Sequence, residues 1–596
     1  MTKQRASRPH DLFSDTWVAT DALGRELPGH QTCGPPRFNR FVGIFYFIAR
    51  NYTGPEPPRD VTKILAENPE NPQFWPRFAH HWGEPELGYY RSSDRWVIRK
   101  HAYLLADAGV DTLIFDVTND RTFPQCYEAV CDVFRDVRGE GEPTPDICFL
   151  ASERSVYQLW ESFYSKGSYA DLWFEWQGRP LLLFGQHAEV RGDMDRVTFS
   201  PEIQDFFTIR KSWAWDSLAW YGDAGHHRWP WVAHTPQCVG WERPGIAEQV
   251  PVAVGQHPLS GIGRSFHDGA QPKVDGYDIT RYTGDGLYFA EQWERALEVD
   301  PEFVFITGWN EWTAGSMVCD DPSYEALQAK WSFFPGATLG RATKPLNVGD
   351  IYFIDQYNQE FSRDAEPMKG GHTDNYYYQM IDGIRRYKGV RPPPLATGPR
   401  SIDLQGSFSQ WEGIQPEYRD HMYDTLHRHE AGWGSAGPYI DTAGRNEFVT
   451  LKVAHDDDNL YFYARTRAPV TAHTDPGWML LLLNTDRSKA TGWEGYDFVL
   501  NLATIDAAHT HVQAHVAEWS WKTVGEARYR VEGNQMMLAV ARALVGLAGS
   551  PLTFDFHWFD NGPVAGPCTI EDFFASGDSA PPRRFDYRYQ ESVEKE

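Results

Sequence analysis

Ahead of residue 390 the chain carries eight short apolar runs: Val42–Ile48, Thr112–Val117, Ile147–Ser152, Pro180–Gly185, Thr208–Trp215, Val250–Gln256, Phe303–Trp309 and Ile351–Tyr357. They are continuous rather than alternating, the pattern of strands buried on both faces in a parallel sheet. Helical periodicity fills most of the intervals. Arg95–Ala108 follows an Asp94 N-cap and stops at Gly109, and Phe123–Val137, Val156–Ser165, Leu287–Leu297 and Tyr376–Tyr387 repeat the pattern. Eight strands with intervening helices predict an α/β fold, a (β/α)8 TIM-type barrel with long loops, since a bare barrel takes about 250 residues. The alternative is a doubly wound open sheet, which lacks its usual G-x-G-x-x-G or P-loop after the first strand.

The clearest joint is Val390–Arg400, where Pro392, Pro393 and Pro394 remove backbone donors and stiffen the chain. Beyond it the segments read as strands between turns, with one short helical stretch near Met537–Leu547. The predicted division is a catalytic barrel over residues 1–395 and an all-β sandwich, a carbohydrate-binding-like module, over 396–596.

Charge narrows the partners. Among 596 residues, 82 acidic against 56 basic side chains give a net charge of −26, which repels phosphate backbones and anionic lipid. Nucleic acid and membrane are therefore not expected, and no run approaches the roughly 20 apolar residues of a membrane span. The seven cysteines are scattered with no C-x-x-C pair, as for reduced, buried thiols. With no apolar signal region near the N-terminus, a cytoplasmic protein is expected. The aromatic content is high, with 24 Trp, 29 Tyr and 35 Phe. Such rings fill cores, and they also stack on sugars.

In a barrel the chemistry lies at the C-terminal strand ends. Those ends supply Asp116 after the second strand, Glu153 after the third, His187 and Glu189 after the fourth, and Asp216 after the fifth. The later ends supply His257, then Trp309-Asn310-Glu311-Trp312, then Asp355 and Glu360. Paired carboxylates among Trp and His are what glycosidic cleavage needs: one acid protonates the leaving oxygen, and the other activates water or attacks. No G-x-S-x-G or H-E-x-x-H motif points to another hydrolase chemistry. His80 and His81 beside Glu84 and Glu86 are conceivable metal ligands, but adjacent histidines in a Pro/Gly loop rarely face one ion. His226-His227 reads the same way.

Residues 81–116, HWGEPELGYYRSSDRWVIRKHAYLLADAGVDTLIFD, resemble the first barrel repeats of family 99 glycoside hydrolases and the related WbsX-like proteins. The run Phe305-Ile306-Thr307-Gly308-Trp309-Asn310-Glu311-Trp312 resembles the same group's "ITSWNEWHEG" motif. The resemblance implies a barrel over residues 40–390 and an endo-acting α-mannosidase-like activity that uses two glutamates three positions apart. Here the first of these is Glu311 and the second position holds Ala314. The partner of Glu311 must then come from another strand, with Asp116, Glu360 and Glu84 in that order, and inversion stands beside retention. The C-terminal part resembles family 9 carbohydrate-binding modules through Gly444–Phe448, Asp458–Tyr463, Trp478–Asp486 and Gly492–Phe498. That likeness implies a structural calcium, for which Asp456-Asp457-Asp458 offers hard oxygen ligands, though the run also reads as a solvated turn. Trp411, Trp433, Trp478 and Trp493 divide between stacking faces and core.

The expected function is hydrolysis of a glycosidic bond in an oligo- or polysaccharide, with an α-linkage favoured and no cofactor or metal needed for catalysis. Glu311, Asp116 and Glu360 are the expected catalytic carboxylates. Trp309, Asn310, Trp312, His187, His257, His81, Trp82, Glu84 and Asp355 are expected to shape the sugar site. Two rivals remain: a glycan-binding protein on a degenerate barrel, and a metal-dependent hydrolase or lyase built on His80, His81, His187 or His257.

Overall fold

The computed structural model describes residues 10–185, 197–214, 227–243, 245–331, 333, 339–340, 344–562 and 567–592. Eight parallel strands lie side by side in chain order: β1 (Phe41–Tyr46), β2 (Thr112–Val117), β3 (Asp146–Ala151), β4 (Arg179–Phe184), β5 (Thr208–Ala214), β6 (Arg228–Val232), β7 (Ile246–Ala253) and β8 (Phe303–Thr307). β8 returns to pair with β1, Phe303 opposite Phe41 and Ile306 opposite Ile44, so the sheet is barrel-like and nearly closed.

One seam, between β6 and β7, is spanned by side chains instead of a ladder. Gln249 Nε2 donates to the Pro230 carbonyl at 2.7 Å, and Gln256 Nε2 to the Ala233 carbonyl at 2.9 Å. In an extended strand a residue's N–H and C=O point to the same side. The Pro230 carbonyl faces the seam, so the N–H that proline lacks is missing where the ladder would run.

Side chains alternate along each strand. Phe45, Ile114, Leu150, Leu183 and Phe305 fill the barrel, while Val42, Ile44, Phe115 and Phe149 face outward onto helices. α1 (Arg95–Ala108) begins where Asp94 Oδ1 accepts from the Val97 N–H at 3.0 Å and ends at Gly109, φ 86°. α2 (Pro124–Gly139), α3 (Leu287–Val299) and α4 (Asn375–Lys388) follow the predicted periodicity.

Two strand expectations are corrected. Ile351–Phe353 is not a barrel strand: it pairs with Thr313–Val318, which pairs with Ala79–His81, in a separate three-stranded sheet. The sixth barrel strand is Arg228–Val232, where Pro230 among polar and aromatic neighbours hid the apolar pattern.

The C-terminal region is one long antiparallel sheet. Its strands are β9 (Glu417–Arg419), β10 (Phe448–His455), β11 (Asn459–Thr466), β12 (Leu480–Asn484), β13 (Phe498–Thr504), β14 (His509–Ala517), β15 (Ser520–Glu532), β16 (Gln535–Ala541), β17 (Thr553–Asp560), β18 (Asp578–Ala580) and β19 (Phe585–Gln590). The sheet folds over itself: Tyr418 of β9 and Phe462 of β11 pack on Phe556 of β17, with ring centroids 5.0 and 5.9 Å apart. The stretch expected as helix near Met537–Leu547 is β16 followed by a short 3-10 turn.

The prolyl joint is pinned to this sheet, with the Ala396 and Thr397 N–H groups donating to the Gln590 and Gln415 carbonyls at 2.8 Å. Barrel and sheet are closely fastened. Val18–Ala19 adds a strand beside Phe585–Asp586, Arg583 pairs with Glu86 at 2.6 Å, and Arg428 pairs with Asp94 at 2.7 Å. Among the described residues, no helix is long and apolar enough to cross a membrane.

Candidate active site

The chain leaves β8 through Gly308 and turns Glu311 into the mouth of the barrel. Gly308 sits in close quarters there: a Cβ would lie 3.0 Å from Asp364 Oδ1 and 3.1 Å from the Phe45 ring. Segment 363–366 runs alongside, with the Ala365 N–H donating to the Gly308 carbonyl at 2.9 Å and the Glu366 N–H to the Trp309 carbonyl at 3.0 Å. The Glu311 N–H donates to Asp364 Oδ1 at 2.8 Å.

The Glu311 side chain is buried, and Oε2 alone is held, by Gln356 Nε2 and Arg363 Nη2, each at 3.2 Å. Among the described residues no hydrogen bond reaches Oε1. Burial pushes the Glu311 carboxyl well above the usual carboxylate range; Arg363 opposes the shift, while Asp355, Asp364 and Asp116 add to it. The result is a carboxyl whose protonated form is favoured among its neighbouring carboxylates. Asp364 is fully buried, and burial pushes it up to about 6.

Asp116 shares the inward face of β2 with Ile114 and is part-exposed. Its Oδ1 accepts from the Thr118 N–H at 3.0 Å and the Thr118 hydroxyl at 2.9 Å, which fixes the carboxylate's orientation. Asp355 is the most open of the group, its side chain 47% exposed, and it lies 3.5 Å from Arg363 Nη2. One guanidinium thus touches both Glu311 and Asp355. His257 is buried nearby, its imidazole pushed down to about 3 by burial and the Arg363 charge, and its Nδ1 accepts from the Leu259 N–H at 3.1 Å. A neutral imidazole is the outcome.

Several expected site residues do other work. Glu360 is sealed: its carboxylate accepts from the Ser265 N–H at 2.9 Å, Ser265 Oγ at 2.7 Å, Gln271 Nε2 at 2.9 Å and the Thr283 hydroxyl. With both oxygens engaged it holds loops together and offers nothing to a substrate. Glu84 is clamped by Lys63 at 2.5 Å and Lys369 at 2.8 Å; despite partial burial, these two ammonium groups hold its carboxyl below its usual range.

Trp309 is fully buried against His101 and Tyr377. Trp312 is also fully buried, stacked on Trp82 at 4.1 Å and donating from Nε1 to Glu366 at 2.5 Å, so neither indole of that stack presents a face to a sugar. Asn310 clips β1, accepting from the Phe47 N–H at 2.7 Å and donating to the Phe47 carbonyl at 3.2 Å. His81 is buried edge-on to Tyr89 and Trp433, and His80, bonded to the Phe78 carbonyl and the Trp75 N–H, serves its own loop. Neighbouring positions on a strand point to opposite faces, so the two imidazoles do not share a ligand. His187, Glu189, Asp216 and His226 lie outside the described residues. Trp411, Trp433, Trp478 and Trp493 are all buried in the packing, which leaves none of them as an open stacking face.

Of the residues that complete the cluster, Gln356 lies in the expected eighth strand and Arg363 and Asp364 follow the polar run at its end, Asp355-Gln356-Tyr357-Asn358-Gln359-Glu360; none of the three is among the expected site residues. The structure buries the segment from Gln356 to Met368. The only signal in the sequence is the density of charge directly after an apolar run.

No family model matches the chain, and no curated protein matches it. Among solved structures, the chain is similar to the GH99 endo-alpha-mannosidase from Bacteroides thetaiotaomicron, at 13% identity over 59% of this chain and 98% of that one, with a TM-score of 0.30. The bis-tris-propane complex of that enzyme gives 12% identity, the same coverage and a TM-score of 0.31. A glycoside hydrolase-like protein gives 10% identity over 60% of this chain and 96% of that one, with a TM-score of 0.28. Likeness at this level carries no argument about the reaction.

Proposed function

We propose that the chain is a glycosidase: a (β/α)8 barrel over residues 1–395, followed by a β-sandwich, that hydrolyses a glycosidic bond of an oligo- or polysaccharide, α-linked in preference. The observation that carries the reading is Glu311, a buried acid at the barrel mouth whose protonated form burial and three neighbouring carboxylates favour, with one oxygen held and the other unbonded among the described residues. Such a group is suited to donate a proton to a departing glycosidic oxygen. Once it has donated, Arg363 is in place to stabilise the carboxylate left behind. Asp116, on the inward face of β2, is the preferred partner. It takes the proton of a water whose oxygen bonds to the anomeric carbon, or bonds to that carbon itself. Asp355 is the second choice. No cofactor or metal is assigned to this chemistry.

Position 314 favours a second reading. Ala314 packs in an apolar cluster with Val61, Leu65, Phe74, Phe353 and Tyr357, so a second glutamate there has no counterpart in this chain. A barrel that binds glycan without cleaving it is consistent with that loss.

A panel of α- and β-linked oligosaccharides, incubated with wild type and Glu311→Gln and analysed for released sugars, separates the two. Cleavage by wild type, falling roughly 10²–10⁴-fold in the variant, is the expected result. Retained binding with no cleavage of any linkage by wild type would replace the hydrolase with the binding protein. Equal cleavage by both proteins would remove Glu311 from the mechanism.

A further inference from the structure

Far along the chain from Glu311, Asp420 and Asp424 on the loop after β9 meet Asp578 at the start of β18. One carboxylate oxygen of each lies within 4.8 Å of the other two, and all three residues are buried. The three differ in how they are satisfied. Asp578 accepts from the Phe448 N–H and, at 2.9 Å, the Ser579 N–H. Asp420, with no exposed surface, has no hydrogen-bond partner on either carboxylate oxygen, and Asp424 has none on Oδ1.

The charged groups around them are already engaged. His421 bridges Asp107 at 2.9 Å and Glu142 at 3.2 Å, and Glu142 also meets His10 at 3.3 Å. Arg467 holds Glu447 at 2.8 Å. Lys100 donates to the Asp424 carbonyl at 2.7 Å and stands 3.9 Å from its Oδ2. Three buried carboxylates thus face the His421 imidazole, already shared by Asp107 and Glu142, and one ammonium at the edge of contact, an arrangement that is costly unless protons or a cation complete it.

Oxygen ligands of one calcium ion lie about 2.3–2.6 Å from it, so opposed ligands stand roughly 4.6–5.2 Å apart. The observed spacing fits one such ion. The donor set is entirely carboxylate oxygen, which selects a hard cation over zinc or copper. It comes from irregular loop and strand ends, which suits the flexible coordination of calcium better than the strict octahedron of magnesium. We propose that Asp420, Asp424 and Asp578 bind a single calcium ion that ties the loop after β9 to β18, on the side of the sheet facing α1 of the barrel. The turn expected to hold calcium does not need it. Asp456 already accepts from Ser401, Tyr461 and the backbone of Asp458 and Asn459 at 2.6–3.0 Å.

The full-length protein, stripped with chelator at pH 7.5, is titrated with calcium by calorimetry and followed through thermal unfolding. One tight site per chain is expected, with the unfolding midpoint of the C-terminal region rising by roughly 5–10 °C at a hundredfold excess over Kd. The rise with magnesium at equal concentration is expected to be smaller. Asp420→Asn is expected to abolish the tight site. Terbium luminescence excited through the protein's aromatic rings and quenched by added calcium gives the same answer in wild type if the variant fails to fold. No tight site and no calcium-dependent shift in wild type would overturn the proposal, leaving shared protons to complete the cluster. A tight site that survives in Asp420→Asn would overturn the assignment, and a magnesium response equal to that of calcium would overturn the choice of ion.

Discussion

Among the described residues, one buried arginine–glutamate pair at the floor of the barrel and one at its mouth are built differently. At the floor, Arg210 on β5 meets Glu248 on β7. Glu248 Oε1 accepts from Arg210 Nη2 at 2.6 Å and Trp176 Nε1 at 2.8 Å, and Oε2 accepts from Arg210 Nε at 2.9 Å and Trp229 Nε1 at 2.7 Å. Burial opposes its ionisation, but these four donors outweigh it and hold the carboxyl below its usual range. At the mouth, Arg363 reaches Glu311 through one contact at 3.2 Å and shares itself with Asp355. There burial prevails, three carboxylates add repulsion, and the carboxyl is held above its usual range. Like residue types in like burial are thus shifted in opposite directions, by the number of donors aimed at each carboxylate and the carboxylates around it. A saturated pair is a strut, whereas an under-satisfied one has a proton to give.

The comparison breaks first at the mouth. Glu311→Gln should cut turnover roughly 10²–10⁴-fold while the fold survives, since glutamine mimics the protonated acid in shape and charge. Its stability relative to wild type should improve as pH rises. The folded-state pKa of Glu311 is raised, so its contribution to stability is complete at low pH and is lost as pH climbs through that raised value, and glutamine escapes this loss. Denaturant unfolding at several pH values, alongside released-sugar assays, checks both halves.

At the floor the effect should be the reverse. Arg210→Met strands Glu248 in the core and should cost about 3–5 kcal/mol of stability. Turnover per folded molecule should hold, as measured by activity corrected for the folded fraction. A large loss of turnover at full folding would show that the floor pair also shapes the site.

Two smaller effects sharpen the account of the mouth. Arg363→Gln removes the charge that opposes the rise in the Glu311 pKa, so the alkaline limb of kcat/KM should move to higher pH. Asp355→Asn removes one of the carboxylates that raises it, so the limb should move to lower pH. The Asp355 shift should be the smaller, because that side chain is half exposed and solvent screens it. Movement of both limbs in the same direction would mean that another group sets the profile.

Much of the frame was legible in the sequence. Seven of the eight apolar runs coincide with barrel strands, because strands buried on both faces are predominantly apolar. α1 was readable to its last residue from Asp94 and Gly109, whose side chain and backbone conformation terminate a helix locally. Arg228–Val232 was not readable, since its burial depends on Trp229 and Trp231 fitting neighbours from distant strands and its proline suits only an open seam. Ile351–Phe353 is as apolar as a barrel strand, and nothing local says which sheet it joins.

The site divides along the same line. Asp116 and Glu311 stood out because an acid placed directly at the end of an apolar strand has few exposed positions available to it. The chain alone could not separate Glu311, with two donors, from Glu360, with four, since those donors come from residues up to 95 positions away. Nor could it show that the polar run after Asp355 is buried and delivers Arg363 to the mouth. Composition and periodicity determined which segments must leave water. Only the tertiary structure decided how many donors each buried charge would find there, because hydrogen bonding is a matter of distance in space and leaves no mark on the order of residues.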